Sequence, residues 1–152
     1  MGDAENKRIA ARFLQELWNQ RNLALADELI APDCITHQLR SGADDVGVAR
    51  GPEAVREHIQ AWLQAFPDLQ FATEEVIAEG DRVMTRCQMQ GTHSGSWMGV
   101  NATGKRVSIR LVIVQRIVSG RIAEDWVLVE TLGLYQQLGL VGPTEELLTK
   151  AR

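Results

Sequence analysis

The hydrophobic repeat of this chain changes period at Pro67. Before it, Val55, Ile59, Trp62, Leu63 and Phe66 recur at intervals of three and four, the spacing that collects apolar side chains on one face of a helix. Gly51-Pro52-Glu53 marks where that helix starts, since proline suits the first helical position. Pro67 ends it. Beyond Pro67 the apolar residues come in runs bounded by turn signals, and 69–78, 82–90, 107–118 and 121–129 read as strands. Glu79-Gly80-Asp81 and Ser119-Gly120 join them as tight turns. Helices followed by antiparallel strands make an α+β domain. One face of the sheet must be buried, and the helices are its only cover. A curved sheet wrapped over about three N-terminal helices would leave a cone-shaped pocket between the layers.

Upstream, Asp3 or Asn6 is expected to cap a first helix, with Ile9, Phe13 and Leu17 on one stripe and Ala10, Leu14 and Trp18 beside it. A short helix follows from Asn22 through Leu29-Ile30 and stops at Pro32-Asp33. Residues 34–39 read as a short strand and 40–50 as a polar loop. The division expected is one domain over 1–142 and a tail over 143–152 that is a peripheral helix or frayed.

A formal net charge of -4 leaves no basic footprint for nucleic acid. No apolar run is long enough for a membrane span, and the charged start MGDAENKRIAARF lacks a signal core. Two cysteines, Cys34 and Cys87, are too few for a disulfide framework and read as buried thiols in a reducing, cytoplasmic setting. His37, His58 and His93 stand alone, without metal-ligand spacing.

The chemistry turns on Asp125, a carboxylate inside an otherwise apolar strand. It must be solvated, paired, or held with a raised pKa. On a regular strand Asp125, Val127 and Val129 share one face, and Glu124, Trp126 and Leu128 the other. Facing an apolar pocket, Asp125 would suit proton abstraction next to a carbonyl; facing outward, it would be a surface or interface ion-pair partner. His37 either polarises a substrate at the pocket mouth or bonds a nearby backbone carbonyl. Arg86, Arg110 and Arg116 either anchor an anionic group or pair with acidic neighbours across the sheet, the pairing being favoured and Arg116 reading as structural. Gln115, on a face with Leu111 and Ile113, is either a ligand-bonding amide or a strand-end amide in water. Trp62 and Phe66 face the sheet, Trp97-Met98 forms a lid in a Gly-rich connection, and His93 and His58 read as exposed.

An ordered set of short motifs then carries a resemblance. It comprises Pro32-Asp33 before His37, Gly51-Pro52-Glu53-Ala54-Val55, Ala65-Phe66-Pro67-Asp68-Leu69, Glu79-Gly80-Asp81-Arg82-Val83 and Gly91-Thr92-His93-Ser94-Gly95. It continues with Thr103-Gly104-Lys105, Gln115-Arg116-Ile117, Gly120 to Glu124, Trp126 and Gln137-Leu138-Gly139. In this order the chain resembles the SnoaL-like polyketide cyclases, within the cone-shaped α+β superfamily of nuclear transport factor 2, scytalone dehydratase and ketosteroid isomerase. The resemblance implies an intramolecular aldol ring closure on a polyketide ester, with an Asp as acid/base, a His polarising the carbonyl, and neither metal nor organic cofactor. The family Asp falls at Val127 and the His at Ile113, so Asp125 is a candidate relocated base, about 7 Å along the strand.

The resulting expectation is cofactor-independent acid/base chemistry on a small apolar carbonyl compound: aldol cyclisation, isomerisation, or hydration and dehydration. Asp125 and His37 are the catalytic candidates. Trp18, Trp62, Phe66, Arg86, Trp97, Met98, Leu111, Ile113, Gln115 and Val127 are the pocket-lining ones. The alternative is a non-catalytic small-molecule binding protein. Val112, Val114 and Trp126 on the outer face would be costly to leave wet, which predicts a homodimer formed sheet to sheet.

Overall fold

The structure, a computed structural model, describes residues 2–39 and 44–152; part of the expected 40–50 loop therefore lies outside the described residues. The first helix, α1 (Asp3–Arg12), runs directly into a wider-wound π-helical stretch, Phe13–Asn19. Ile9, Ala10, Phe13, Leu14, Leu17 and Trp18 are all buried, so the expected double stripe faces the sheet. The cap differs from expectation. Gly2 occupies the N-cap with no side-chain bond, and the buried Asn6 instead donates its amide to the Gly80 carbonyl at 3.2 Å. Asn19 ties the far end of this helical unit to the sheet by two bonds, accepting from Phe71 N–H at 2.8 Å and donating to Phe71 O at 2.9 Å.

A short 3₁₀ turn, Leu23–Leu25, leads into α2 (Ala26–Leu29), and β1 (Ile30–Leu39) starts earlier than the sequence suggests. Pro32 and Asp33 do not precede the strand. They sit within it, in the irregularity between Ile30 and Ile35 where a proline without an N–H is tolerated. β2 (Val48–Ala49) precedes α3 (Pro52–Ala65), whose start at Pro52 and stop before Pro67 are as expected. Then come β3 (Gln70–Glu79), β4 (Arg82–Thr92), β5 (Arg106–Val118) and β6 (Arg121–Val129). The chain closes with α4 (Thr131–Gln137) and α5 (Thr144–Lys150). No residue of α5 is buried, in keeping with a peripheral helix. Among the described residues, no helix is long and apolar enough to cross a membrane.

The strands form one curved, unclosed sheet in the order β2-β1-β6-β5-β4-β3. Only β1 and β6 run parallel; the other pairings are antiparallel. Ser119 and Gly120 both adopt positive φ (51 and 78), the geometry of a two-residue turn whose twist matches its strands. Along β4 and β5 burial alternates residue by residue, so Val83, Cys87, Met89, Ile109, Leu111 and Ile113 pack under the helices.

One irregularity decides which carboxylate faces inward. Ile117 pairs with Ile122, whereas Arg116 pairs with Glu124, so β6 carries an extra residue at Ala123. Strict alternation from the buried Ile122 would send Glu124 into the core. The bulge moves Glu124 to the outer face and turns Asp125 inward.

Candidate active site

Asp125 opens into a chamber between the sheet and the helices. Ile109, Leu111 and Ile113 of β5 and Val127 and Val129 of β6 line it from below. The π-helical stretch brings Phe13, Leu14 and Trp18 down from above, and α3 contributes Val55, His58 and Trp62. This chamber has a volume of about 80 Å³. It meets an outer one of about 420 Å³, rimmed by Trp97, Met98 and Tyr135. Gln38, Arg50, His58, Trp62 and Val129 belong to both walls, so the two are consecutive parts of one cleft.

The polar groups are few. Asp125 is 8% exposed and directly opposite Thr36 in the β1–β6 register. The Thr36 hydroxyl donates to Asp125 Oδ1 at 2.6 Å. Burial raises the carboxyl above its ordinary value, and the Thr36 bond and the charge of Arg50 offset this only in part. A carboxyl raised above its ordinary value in an apolar chamber and fixed through one oxygen has the other free to take up and return a proton. Burial pushes His58 down to about 4, with Arg50 acting in the same direction, so the imidazole is neutral at pH 7. It lies edge-on between Trp18 and Trp62, at 6.2 and 6.5 Å. Cys34 also lines the chamber, but burial pushes its thiol up to about 12, which leaves it inert as a nucleophile. Among the described residues no cluster of His, Cys, Asp or Glu is placed to hold a metal ion.

The structure brings together Asp125, Trp18, Trp62, Leu111, Ile113 and Val127 in the deep wall, and places Trp97 and Met98 at the rim. Trp97 leans on Trp62 at 5.4 Å and on Tyr135 at 6.4 Å. Met98 and Gly99 both have positive φ (47 and 79), forming a tight turn that holds the 73%-exposed Met98 over the opening.

Other expected positions are corrected. His37 does not reach the cleft, because Thr36 points inward and its strand neighbour must point out. On the outer face its ring stacks on Trp126 at 5.1 Å, with Nε2 2.7 Å from Glu124 and Nδ1 2.9 Å from Asp45. Arg86 is on the outer face too, beside Glu74 and Glu75. Arg110 pairs with Glu74 at 3.0 Å and Arg116 with Glu124 at 3.2 Å, the structural reading of both. Gln115 faces inward opposite Asp125 but lies beneath the chamber floor, 2% exposed. Phe66 is fully buried behind Trp62 and backs the wall without lining it. His93 is buried, not exposed, with Nδ1 3.0 Å from the Thr103 hydroxyl.

Sequence reasoning missed Thr36, His58 and Arg50. His58 lies three residues after Val55 and four before Trp62, so the helical spacing held a signal for it. Thr36 and Arg50 gave none. Each is placed by long-range pairing, Arg50 through its backbone N–H to Cys34 O at 2.6 Å.

The histidines make opposite pH predictions. His58 has its pKa lowered on folding from 6.5, so its contribution to stability is full above 6.5 and is lost as pH falls toward 4. His37 has its pKa raised, first by Glu124, so its contribution is full below 6.5 and is lost as pH rises through the folded value. Melting curves from pH 4 to 8 should show His58→Phe flattening the acid-side loss and His37→Ala lowering Tm most on the acid side. Equal effects at all pH values would contradict both assignments.

Comparison with known proteins agrees with this architecture. The family model described as SnoaL-like polyketide cyclase matches residues 8–138. The chain is 37% identical over 101 residues to the aklanonic acid methyl ester cyclase DnrD of Streptomyces peucetius, covering 64% of this chain and 68% of that one. It is 32% identical over 124 residues to the nogalonic acid methyl ester cyclase of Streptomyces nogalater, covering 79% and 87%. Among solved structures, AclR of Streptomyces galilaeus, proposed to be a hydroxylase, superposes with a TM-score of 0.82 at 31% identity, covering 99% of this chain and 92% of that one. IdmH of Streptomyces antibioticus, proposed to be a polyketide cyclase, does so with a TM-score of 0.76 at 31% identity, covering 88% and 98%.

Proposed function

We propose that this chain, which belongs to the SnoaL-like polyketide cyclase family, is an enzyme that closes a ring by intramolecular aldol addition on a polyketide ester, with Asp125 as its proton-transfer group. The observation that carries the reading is a single buried carboxyl of raised pKa in an apolar cleft, held by Thr36 through one oxygen. Asp125 takes the proton from the carbon between two carbonyls. That carbon attacks a third, more distant carbonyl of the same molecule, a C–C bond forms as the C=O π bond breaks, and the resulting alkoxide receives a proton, so the product is an isomer of the substrate. Burial moves the carboxyl toward the pH at which it can both accept and return a proton. The aromatic walls from Trp18, Phe71 and Trp62 suit a flat, apolar ring system. Support for an ester substrate comes from the two ester cyclases to which the chain is similar.

The test is incubation of the purified protein with aklanonic and nogalonic acid methyl esters in D₂O, followed by mass spectrometry. Ring closure, or deuterium entering the acidic carbon faster than in buffer, supports the reading. Tight binding with neither reaction would favour the alternative, a non-catalytic binding protein. What favours that alternative is that Val127 and Ile113, where the family base and its partner fall, are plain apolar wall here.

We also propose a homodimer through the outer sheet face. Ile77, Met84, Val114 and Trp126 stand side by side in one row across four strands, and Ile77 is 52% exposed. The neighbouring rows are charged or mixed, with Arg82, Arg116 and Glu124 on one side and Glu75 and Arg86 on the other. Such a stripe can bury itself against its own two-fold copy. Val114→Arg is expected to convert a dimer to a monomer in sedimentation equilibrium; a wild-type protein that sediments as a monomer would contradict the interface.

A further inference from the structure

Arg50 is a cation built into the cleft. It lines both the deep and the outer chamber, where the deep walls are otherwise mostly aliphatic and aromatic. Its backbone is pinned: the N–H bonds Cys34 O at 2.6 Å, and the next residue, Gly51, lies so close to Pro32 O that a Cβ there would sit 2.8 Å from it. The guanidinium therefore starts from a fixed point beside β1, two strand positions from the Thr36–Asp125 pair. Among the described residues Arg50 forms no salt bridge, whereas Arg12, Arg56, Arg86, Arg110 and Arg116 all do. The residues outside the description, 40–43, contain no carboxylate. After burial, which is the largest effect, its positive charge is felt by Asp125 and by His58 alike.

Arg50 is half-buried, and the part of its charge that faces the apolar wall is balanced by no ion pair among the described residues, which leaves it open to an anion arriving in the cleft. Asp125 offsets part of this charge, but it is held by Thr36. Deprotonating a carbon next to a carbonyl puts the negative charge on the carbonyl oxygen, not on the carbon. In a chamber with so little polar surface that oxygen needs a donor. The Thr36 hydroxyl hydrogen is committed to Asp125 and the position of the family His is Ile113, which leaves the neutral His58 N–H, the Gln38 amide and Arg50 as donors in the wall, and of these only Arg50 carries a charge to match the oxyanion.

Resting on the reading of Asp125 as the base, we propose that Arg50 is the oxyanion-holding catalytic residue of this cleft, and that the cleft therefore selects flat apolar molecules carrying one anion-forming oxygen, an enol or a phenol. The apolar body lies against Trp18, Phe71 and Trp62, and the oxygen meets the guanidinium where the two chambers join.

The experiment uses 2-naphthol, whose absorption reports its ionisation, with naphthalene as a control lacking the oxygen. In the Asp125→Asn background, where no carboxylate competes, bound 2-naphthol is expected to ionise at a lower pH than in water. Arg50→Gln should abolish that lowering and Arg50→Lys should keep part of it, while naphthalene binds all three alike. In the Asp125-intact protein, Arg50→Gln should slow α-proton exchange of 2-tetralone by about 10²- to 10³-fold, mainly in kcat. Unchanged naphthol ionisation in Arg50→Gln, or no naphthol binding by any form, overturns the assignment of Arg50. Lowered naphthol ionisation that depends on Arg50, with no proton exchange by the wild type, keeps the assignment and overturns the reading of Asp125 as a base.

Discussion

Asp125→Asn is expected to reduce ring closure and substrate proton exchange by about 10²- to 10⁴-fold, the usual worth of a positioned general base. The substitution is nearly isosteric. An amide oxygen can still accept from the Thr36 hydroxyl, so the pairing of β1 with β6 at this point survives. What disappears is the ability to take up a proton. The stability effect should run the other way. Asp125 is 8% exposed, and its charged form is disfavoured by burial. Removing a buried ionisable group without leaving a hole is neutral or stabilising. The variant should therefore melt at or above the wild-type Tm while losing activity, a combination that a purely structural carboxylate would not produce. Activity retained within a few-fold would contradict the assignment, as would a large fall in Tm.

Phe66→Ala carries the largest expected effect on stability. Phe66 is fully buried where α3 ends, with its ring 5.8 Å from Trp62 and 5.3 Å from His93. Its N–H caps the helix by bonding Trp62 O at 2.8 Å, and its carbonyl accepts from Leu69 N–H at 3.0 Å as the chain turns into the sheet. Truncating a phenyl ring in such a site costs about 3–5 kcal/mol, from lost burial and the cavity left behind. In a chain of this size the loss corresponds to a fall in Tm on the order of 10 °C. Phe66 does not touch the cleft, but it backs Trp62, and Trp62 in turn supports Trp97 at the rim. The variant should therefore also bind 2-naphthol more weakly. A fall in Tm of only a degree or two, with binding intact, would show that the joint is not where the layers are held.

The change of period at Pro67 made the α+β order legible. So were the extents of the four strands after Pro67, the Ser119-Gly120 turn and the apolar stripe of α1, because each rests on local spacing and local backbone chemistry, whereas before Pro67 β1 reads short and β2 reads as loop. The face of Asp125 was partly legible. Alternation groups it correctly with Val127 and Val129, but the inward turn depends on the bulge at Ala123, which shows only in the pairing of β5 with β6. The choice of His37 failed for a related reason. β1 and β6 are 89 residues apart at the Thr36–Asp125 contact, and only their parallel register decides that Thr36 faces in and His37 faces out. His93 looked exposed between its glycines. It is buried because the backbone N–H groups of Ser94 and Gly95 both bond Ala65 O, which draws that segment under the end of α3. Arg50 lies in a stretch with no periodicity at all, so its place in the cleft comes from tertiary contact alone.

The proposed chemistry requires Asp125 to be a desolvated carboxyl poised for proton transfer. The measurement that tests it most directly is the titration of its side-chain carboxyl by ¹³C NMR in the ligand-free protein, assigned by comparison with Asp125→Asn. The midpoint is expected above the ordinary aspartate value of 3.8, rising further in Arg50→Gln as the nearby positive charge is removed. A midpoint at or below 3.8 would mean a solvated or ion-paired carboxylate, and the cleft would be left without its base.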